Sequence, residues 1–124
     1  MKIIISNADS TPIYEQIVRQ VQKLIVTGMM EAGHALPSIR KLALDLQISV
    51  ITSKRAYDEL ERDGYINTVS GKGSFVAEQS QELLSEKKMK QVEDILSEAV
   101  KEANALGISL EDMQVMLNLL HGGE

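Results

Sequence analysis

Four cations fall between Ser38 and Arg55, namely Arg40, Lys41, Lys54 and Arg55, against a single acid, Asp45. A fifth, Lys72, stands between Gly71 and Gly73. Fixed positive side chains of this kind make no bonds; they neutralise phosphate and steer polyanions. Nothing else in the chain offers a competing chemistry. No nucleophile stands beside a base, and Gly71-Lys72-Gly73 follows a strand without opening a helix, so it is not a nucleotide loop. Taken alone, that triplet is also what a solvated hairpin turn looks like. His34 and His121 are far apart and have no ligand spacing to a carboxylate, so they read as surface or loop residues. Neither a metal nor a cofactor is expected, and the chain does not read as an enzyme.

The overall balance conceals these cations. The 124 residues carry a net charge of −5, which argues at first against a polyanionic partner. Residues 1–77 hold nine Lys/Arg and eight Asp/Glu, whereas residues 78–124 hold four and ten. The acid is concentrated in the C-terminal third, and local field governs docking more than the total does. A hydrophobic fraction of 44% is enough to bury a core. Cysteine is absent, which excludes disulfides and thiolate metal sites and is compatible with a cytoplasmic location. No apolar run approaches the roughly 20 residues that span a bilayer. The start, MKIIISNADST, is too short in its apolar part for a signal peptide, and no membrane partner is expected.

The elements that must position the cations follow from periodicity. Ile3–Ile5 read as a short strand or extended arm. Thr11-Pro12 reads as a helix start, with a hydroxyl cap followed by proline at the first helical position. Ile13, Ile17, Val21, Leu24 and Ile25 form its apolar stripe, and Gly28 stops it. Met29–Leu36 has no period and reads as a loop. Ser38 caps a short second helix with Ile39, Leu42, Ala43 and Leu46 on one face, ending near Gln47. Ser49 caps a third, with Ser53, Ala56, Tyr57 and Leu60 inward, and Gly64 ends it. A hairpin follows, Tyr65–Val69 and Ser74–Ala77. Residues Gln81 to Leu106 read as one long helix and Gly107 breaks it. Ser109 with Asp112 resembles a capping box and opens a last helix. Gly122–Glu124 is expected to fray.

Helix, short helix, tight turn, helix and hairpin is the order of a winged helix-turn-helix. In that arrangement the third helix is held so that its N-terminal turn enters the major groove, about 12 Å wide. The hairpin reaches to the backbone or minor groove. The run LPSIRKLALDLQISVITSKRAYDELERDGYINTVSGKGSFV, with PIYEQIVRQVQKLIVTGMMEAGHALPS upstream, resembles the DNA-binding domain of the GntR family of bacterial transcription regulators. Leu36-Pro37-Ser38, Arg40, Leu42-Ala43, Leu60-Glu61, Gly64-Tyr65-Ile66 and Gly71-Lys72-Gly73-Ser74-Phe75-Val76 carry the resemblance, which covers about Ile4 to Val76.

The resemblance implies double-stranded DNA as partner. It places Arg40 against phosphate or a base edge, and Thr52 and Lys54 at positions that commonly contact DNA. Ser38 caps its helix and, with the free N–H groups there, can also hold a phosphate; Lys41 adds charge beside it. On the third helix the N-terminal half is expected to face the duplex: Ser49, Val50, Ile51, Thr52, Lys54 and Arg55. Val50 and Ile51 depart from the polar residues that relatives often carry there. They either touch thymine methyl groups or pack inward, and the sequence leaves both open. Gly71 and Gly73 would let the hairpin tip approach the duplex, with Lys72 offering charge.

The remaining residues leave room for two helices and no large effector domain, which resembles the small YtrA-like branch, whose members dimerise through a helical tail and are often linked to control of membrane transporters. Independently of the family, Val92, Ile95, Leu96, Ala99, Val100 and Ala103 on one helix, and Met113, Met116, Leu117 and Leu120 on the other, have little else to bury against. Two-fold pairing hides such faces and matches a palindromic DNA site. The expected fold class is mostly α with a small β-hairpin: a winged helix-turn-helix domain over 1–77 and a two-helix C-terminal dimerisation tail over 78–124. The expected function is a sequence-specific DNA-binding transcriptional regulator, a repressor acting as a homodimer on a palindromic operator. The alternative is a winged-helix protein-interaction module that does not bind DNA. Whether a small-molecule effector exists, the operator sequence and the regulated genes are not encoded in these patterns.

Overall fold

Ile17, Val21 and Ile25 recur every four residues, and the helix that carries them, α1 (Ile13–Val26), buries all three. It is helix one of the sequence reading with one correction at its start. Pro12, not Thr11, is the N-cap, and no side chain caps it. The Thr11 N–H is instead drawn to the Asp9 carboxylate at 2.8 Å, which turns the chain before the helix begins. Thr27 closes α1, and Gly28 follows with φ of 80°, the left-handed residue that a helix end commonly requires.

Next come α2 (Ile39–Leu46) and α3 (Val50–Arg62), joined by three residues. Gln47 takes a left-handed conformation at φ 55°, which allows the chain to reverse in so short a space. Leu42 and Ala43 of α2 and Ala56, Tyr57 and Leu60 of α3 enter the core with the α1 stripe, and Ser53 is fully buried. Its hydroxyl is satisfied by the Ser49 carbonyl at 3.1 Å. The hairpin β1 (Ile66–Val69) and β2 (Gly73–Val76) is antiparallel, with Ile66 opposite Val76 and Val69 opposite Gly73. Ile66 and Val76 are the residues of this hairpin that close the core from below.

The segment expected to be a loop between α1 and α2 does more. Ala35 bridges Phe75, the Val76 N–H donates to the His34 carbonyl, and the Gly33 and Leu36 N–H groups donate to Val76 and Ser74 carbonyls at 2.8 and 2.9 Å. It lies along β2 as a partial third strand and satisfies an edge that would otherwise be open. At the N-terminus, the extended arm is held by two glutamines one turn apart on α1. Gln20 bonds both the N–H and the carbonyl of Ile4 (2.9 and 2.7 Å), and Gln16 does the same for Ser6 (2.9 and 3.0 Å). Ile3 and Ile5 thereby pack on the core.

The computed structural model describes residues 1–123; Glu124, within the stretch expected to fray, lies outside the described residues. The chain divides into two compact units, Met1–Leu84 and a second from Ser85. The long helix α4 (Gln81–Leu106) begins in the first unit, where Leu84 packs on the core, and continues into the second. Gly107, at φ 72°, ends α4. In the second unit, Ser109 caps α5 (Leu110–Leu120), accepting the Asp112 N–H at 3.1 Å. No described helix is long and apolar enough to cross a membrane.

One buried hydroxyl fixes the approach to α2. The Tyr57 phenol donates to the Pro37 carbonyl at 2.7 Å, tying α3 to the residue before the Ser38 cap. Burial pushes this phenol up from 10.0 to about 12. The unfolded chain releases that proton near 10, so between the two values the folded state holds the extra proton, and stability falls as pH rises through that window. Tyr57→Phe is expected to cost about 1 kcal/mol at neutral pH. It should also flatten this alkaline loss, which urea midpoints taken below and within the window will measure.

Candidate nucleic-acid interface

Two serines set the geometry of the helix-turn-helix. Ser38 Oγ accepts the Lys41 N–H at 3.1 Å, and Ser49 Oγ accepts the Thr52 N–H at 3.0 Å. Each cap satisfies one of the donors that a helix start leaves open, so the others and the positive dipole end face outward for an anion. Ser49 also donates to Thr52 Oγ1 at 2.8 Å, so its hydroxyl is engaged on both sides.

Around these starts stand exposed cations. Arg40 and Lys41 lie in the first turn of α2, and Lys54 lies in the second turn of α3. Lys41 pairs with Asp45 at 3.3 Å and Lys54 with Asp58 at 2.7 Å. Each pair is one helical turn long and open to water, worth about 0.2–0.5 kcal/mol. A phosphate can replace either carboxylate at small cost. Arg55 behaves differently. Its guanidinium sits 3.8 Å from the centre of the Tyr14 ring and donates to the Tyr14 hydroxyl at 3.1 Å. A cation over an aromatic face, bonded again at the ring's tip, is held to α1. Tyr14 and Arg55 are 41 residues apart, so no local pattern announces the pair.

At the first turn of α3 the side chains are aliphatic. Val50 is 49% exposed and Ile51 82%. Neither packs inward, which removes one of the two roles the sequence left open for them.

The hairpin explains its own glycines. The Lys72 N–H donates to the Val69 carbonyl at 2.9 Å, making a four-residue turn with Gly71 in its third place at φ 76°. A turn with positive φ there favours glycine. Gly73 follows at φ 108°. No atom lies within 4 Å of where a Cβ would stand at either position, and Lys72 between them is exposed. The tip is thus thin and cationic. Thr68 Oγ1 donates to Glu61 at 2.7 Å, which ties the hairpin to the far end of α3.

In the tail, Val92, Ile95, Leu96, Val100, Met116, Leu117 and Leu120 are exposed large apolar side chains. Ala99 is exposed, and Met113 is half-buried. Ala103 differs from the sequence expectation of an open face, being buried within the chain at 5% exposure. Among the described residues no group of three His, Cys, Asp or Glu could hold a metal ion.

Comparison with known proteins agrees with this architecture. Residues 13–76 match the family described as bacterial regulatory proteins, gntR family. The chain is 39% identical over 111 residues to the HTH-type transcriptional repressor YtrA of Bacillus subtilis, covering 90% of this chain and 85% of that protein. A GntR family transcriptional regulator from Listeria monocytogenes superposes with a TM-score of 0.72 at 35% identity, covering 89% of this chain and 96% of that one. YtrA from Sulfolobus acidocaldarius, a GntR-family transcription factor, gives 0.59 at 28% identity, with 97% of each chain covered. Proteins of this family are DNA-binding regulators and not enzymes. A winged helix-turn-helix with two serine-capped helix starts, a glycine-rich wing and a two-helix tail, matched over most of its length by YtrA-like regulators, belongs to the GntR family of bacterial transcription regulators.

Proposed function

We propose that this regulator is a repressor that binds a palindromic operator as a homodimer, with residues 1–77 contacting DNA and residues 78–124 pairing two copies. The observation that supports the reading is the set of exposed cations on the first unit. Two capped helix starts carry Arg40, Lys41 and Lys54 in the open, and the wing carries Lys72. Ser38, Ser49, Thr52, Gly71 and Gly73 supply the backbone geometry that brings phosphates close, and Arg55 is presented from its seat on Tyr14. Pairing is supported by the tail, where Val92, Ile95, Leu96, Val100, Met116, Leu117 and Leu120 stand in water in the single chain. An apolar face of that extent is characteristic of an interaction surface. A regulator with two-fold symmetry reads two half-sites. The YtrA repressor of Bacillus subtilis supports the sign of regulation.

The test is selection of genomic fragments by the full-length protein, followed by affinity measurements across a salt series. The expected result is a two-fold symmetric site whose affinity falls by about 10³–10⁵ between 50 and 200 mM salt, as for six to ten phosphate contacts. An asymmetric site, or binding indifferent to salt, contradicts the proposal.

A further inference from the structure

The first turn of α3 offers few polar groups to a base edge, with Thr52 half-buried and its oxygen already accepting from Ser49. Ser49 is committed to its cap and to Thr52 Oγ1, and Ser53 is fully buried against the Ser49 carbonyl. Val50 and Ile51 are the most open side chains of the turn, at 49% and 82% exposure. A single exposed aliphatic residue is ordinary. Two in succession at the first and second positions of a capped helix, with Arg40, Lys41 and Lys54 exposed on the same helix pair, are placed where a recognition helix meets bases.

The major groove offers one apolar feature among the four standard bases, the C5-methyl of thymine. Guanine, adenine and cytosine present donors and acceptors that these side chains can only cover and leave unpaired, a costly arrangement. We infer that Val50 and Ile51 select thymine at the positions they cover in each half-site, by packing on its methyl group. This rests on the duplex-binding reading above. Sequence choice at these positions is then made by shape and desolvation, whereas contacts of the exposed cations with phosphate supply affinity that is blind to sequence.

The experiment uses the full-length protein and a duplex recovered from the genomic selection, remade with deoxyuridine in place of thymidine at one position at a time. Uracil removes the methyl and keeps every hydrogen-bonding group. At one or two positions per half-site the affinity is expected to fall about fourfold per methyl lost, with the salt dependence unchanged. In Ile51→Ala or Val50→Ala the penalty at the matching position should disappear. Both side chains are exposed, so an unchanged thermal melt verifies that these variants fold. If uracil is tolerated everywhere while the thymine duplex still binds with steep salt dependence, DNA binding stands and the methyl inference is overturned. If Ile51→Ala leaves DNA binding and the uracil penalty untouched, the aliphatic pair has another role and the inference is likewise overturned. If no duplex is retained, both readings fall together.

Discussion

Leu117→Glu combined with Leu120→Glu is expected to sediment as a monomer and to bind a two-half-site duplex about 10²–10⁴-fold more weakly. Both leucines are exposed in the single chain, Leu120 at 85%, so the chain loses nothing of its own core. Two carboxylates placed in an apolar pairing surface would face desolvation without a partner. The first unit is untouched, so affinity for a duplex holding one half-site should stay at the parental value of the isolated interaction. That contrast separates pairing from DNA contact. A variant that remains dimeric, or one that loses half-site binding as well, would falsify the assignment of the tail.

The second large effect concerns Lys54. In the proposed dimer, where each Lys54 meets a phosphate, Lys54→Ala is expected to remove one such contact per protomer and two in all. The salt slope should drop by about 1.8. Affinity at moderate salt should fall about a hundredfold, at about 1.5 kcal/mol for each charge-assisted contact. Asp58→Ala is expected to move affinity the other way, because it frees the same ammonium from the 2.7 Å pair and withdraws a carboxylate from the phosphates. Filter-binding titrations at several salt concentrations read both quantities at once. Equal slopes for the parent and Lys54→Ala would place this lysine outside the interface.

The sequence carries local decisions well. The serine caps at 38 and 49 are legible because a cap is settled within three residues. Gln81 and Leu106 bound the long helix because Gly107 must leave it. The inward set Ser53, Ala56, Tyr57 and Leu60 follows from helical spacing, and all four are buried. Partnerships between distant residues are not legible. Residues 33–36 have no alternation, and they lie along β2 only because the fold brings a hairpin edge some 40 positions away beside them. The helix opens one residue later than expected, at a Pro12 cap, while the Thr11 amide turns to Asp9. For the candidate interface, residue types and their places near helix starts were readable. Arg55 was not readable in the same way, since its engagement depends on a tyrosine of another helix. The exposure of Val50 and Ile51 needed coordinates too, because aliphatic residues at a helix start suit a core as well as a groove.

The amide clip that fastens residues 4 and 6 to α1 is built from neutral groups alone. Hydrogen bonds between uncharged amides are indifferent to the Debye length, whereas every cation that meets phosphate is governed by it. Ionic strength is therefore expected to act on the proposed docking to DNA and to leave the arm that seats Ile3 and Ile5 on the core in place. A protein released from DNA by concentrated electrolyte is thus expected to keep this arm seated.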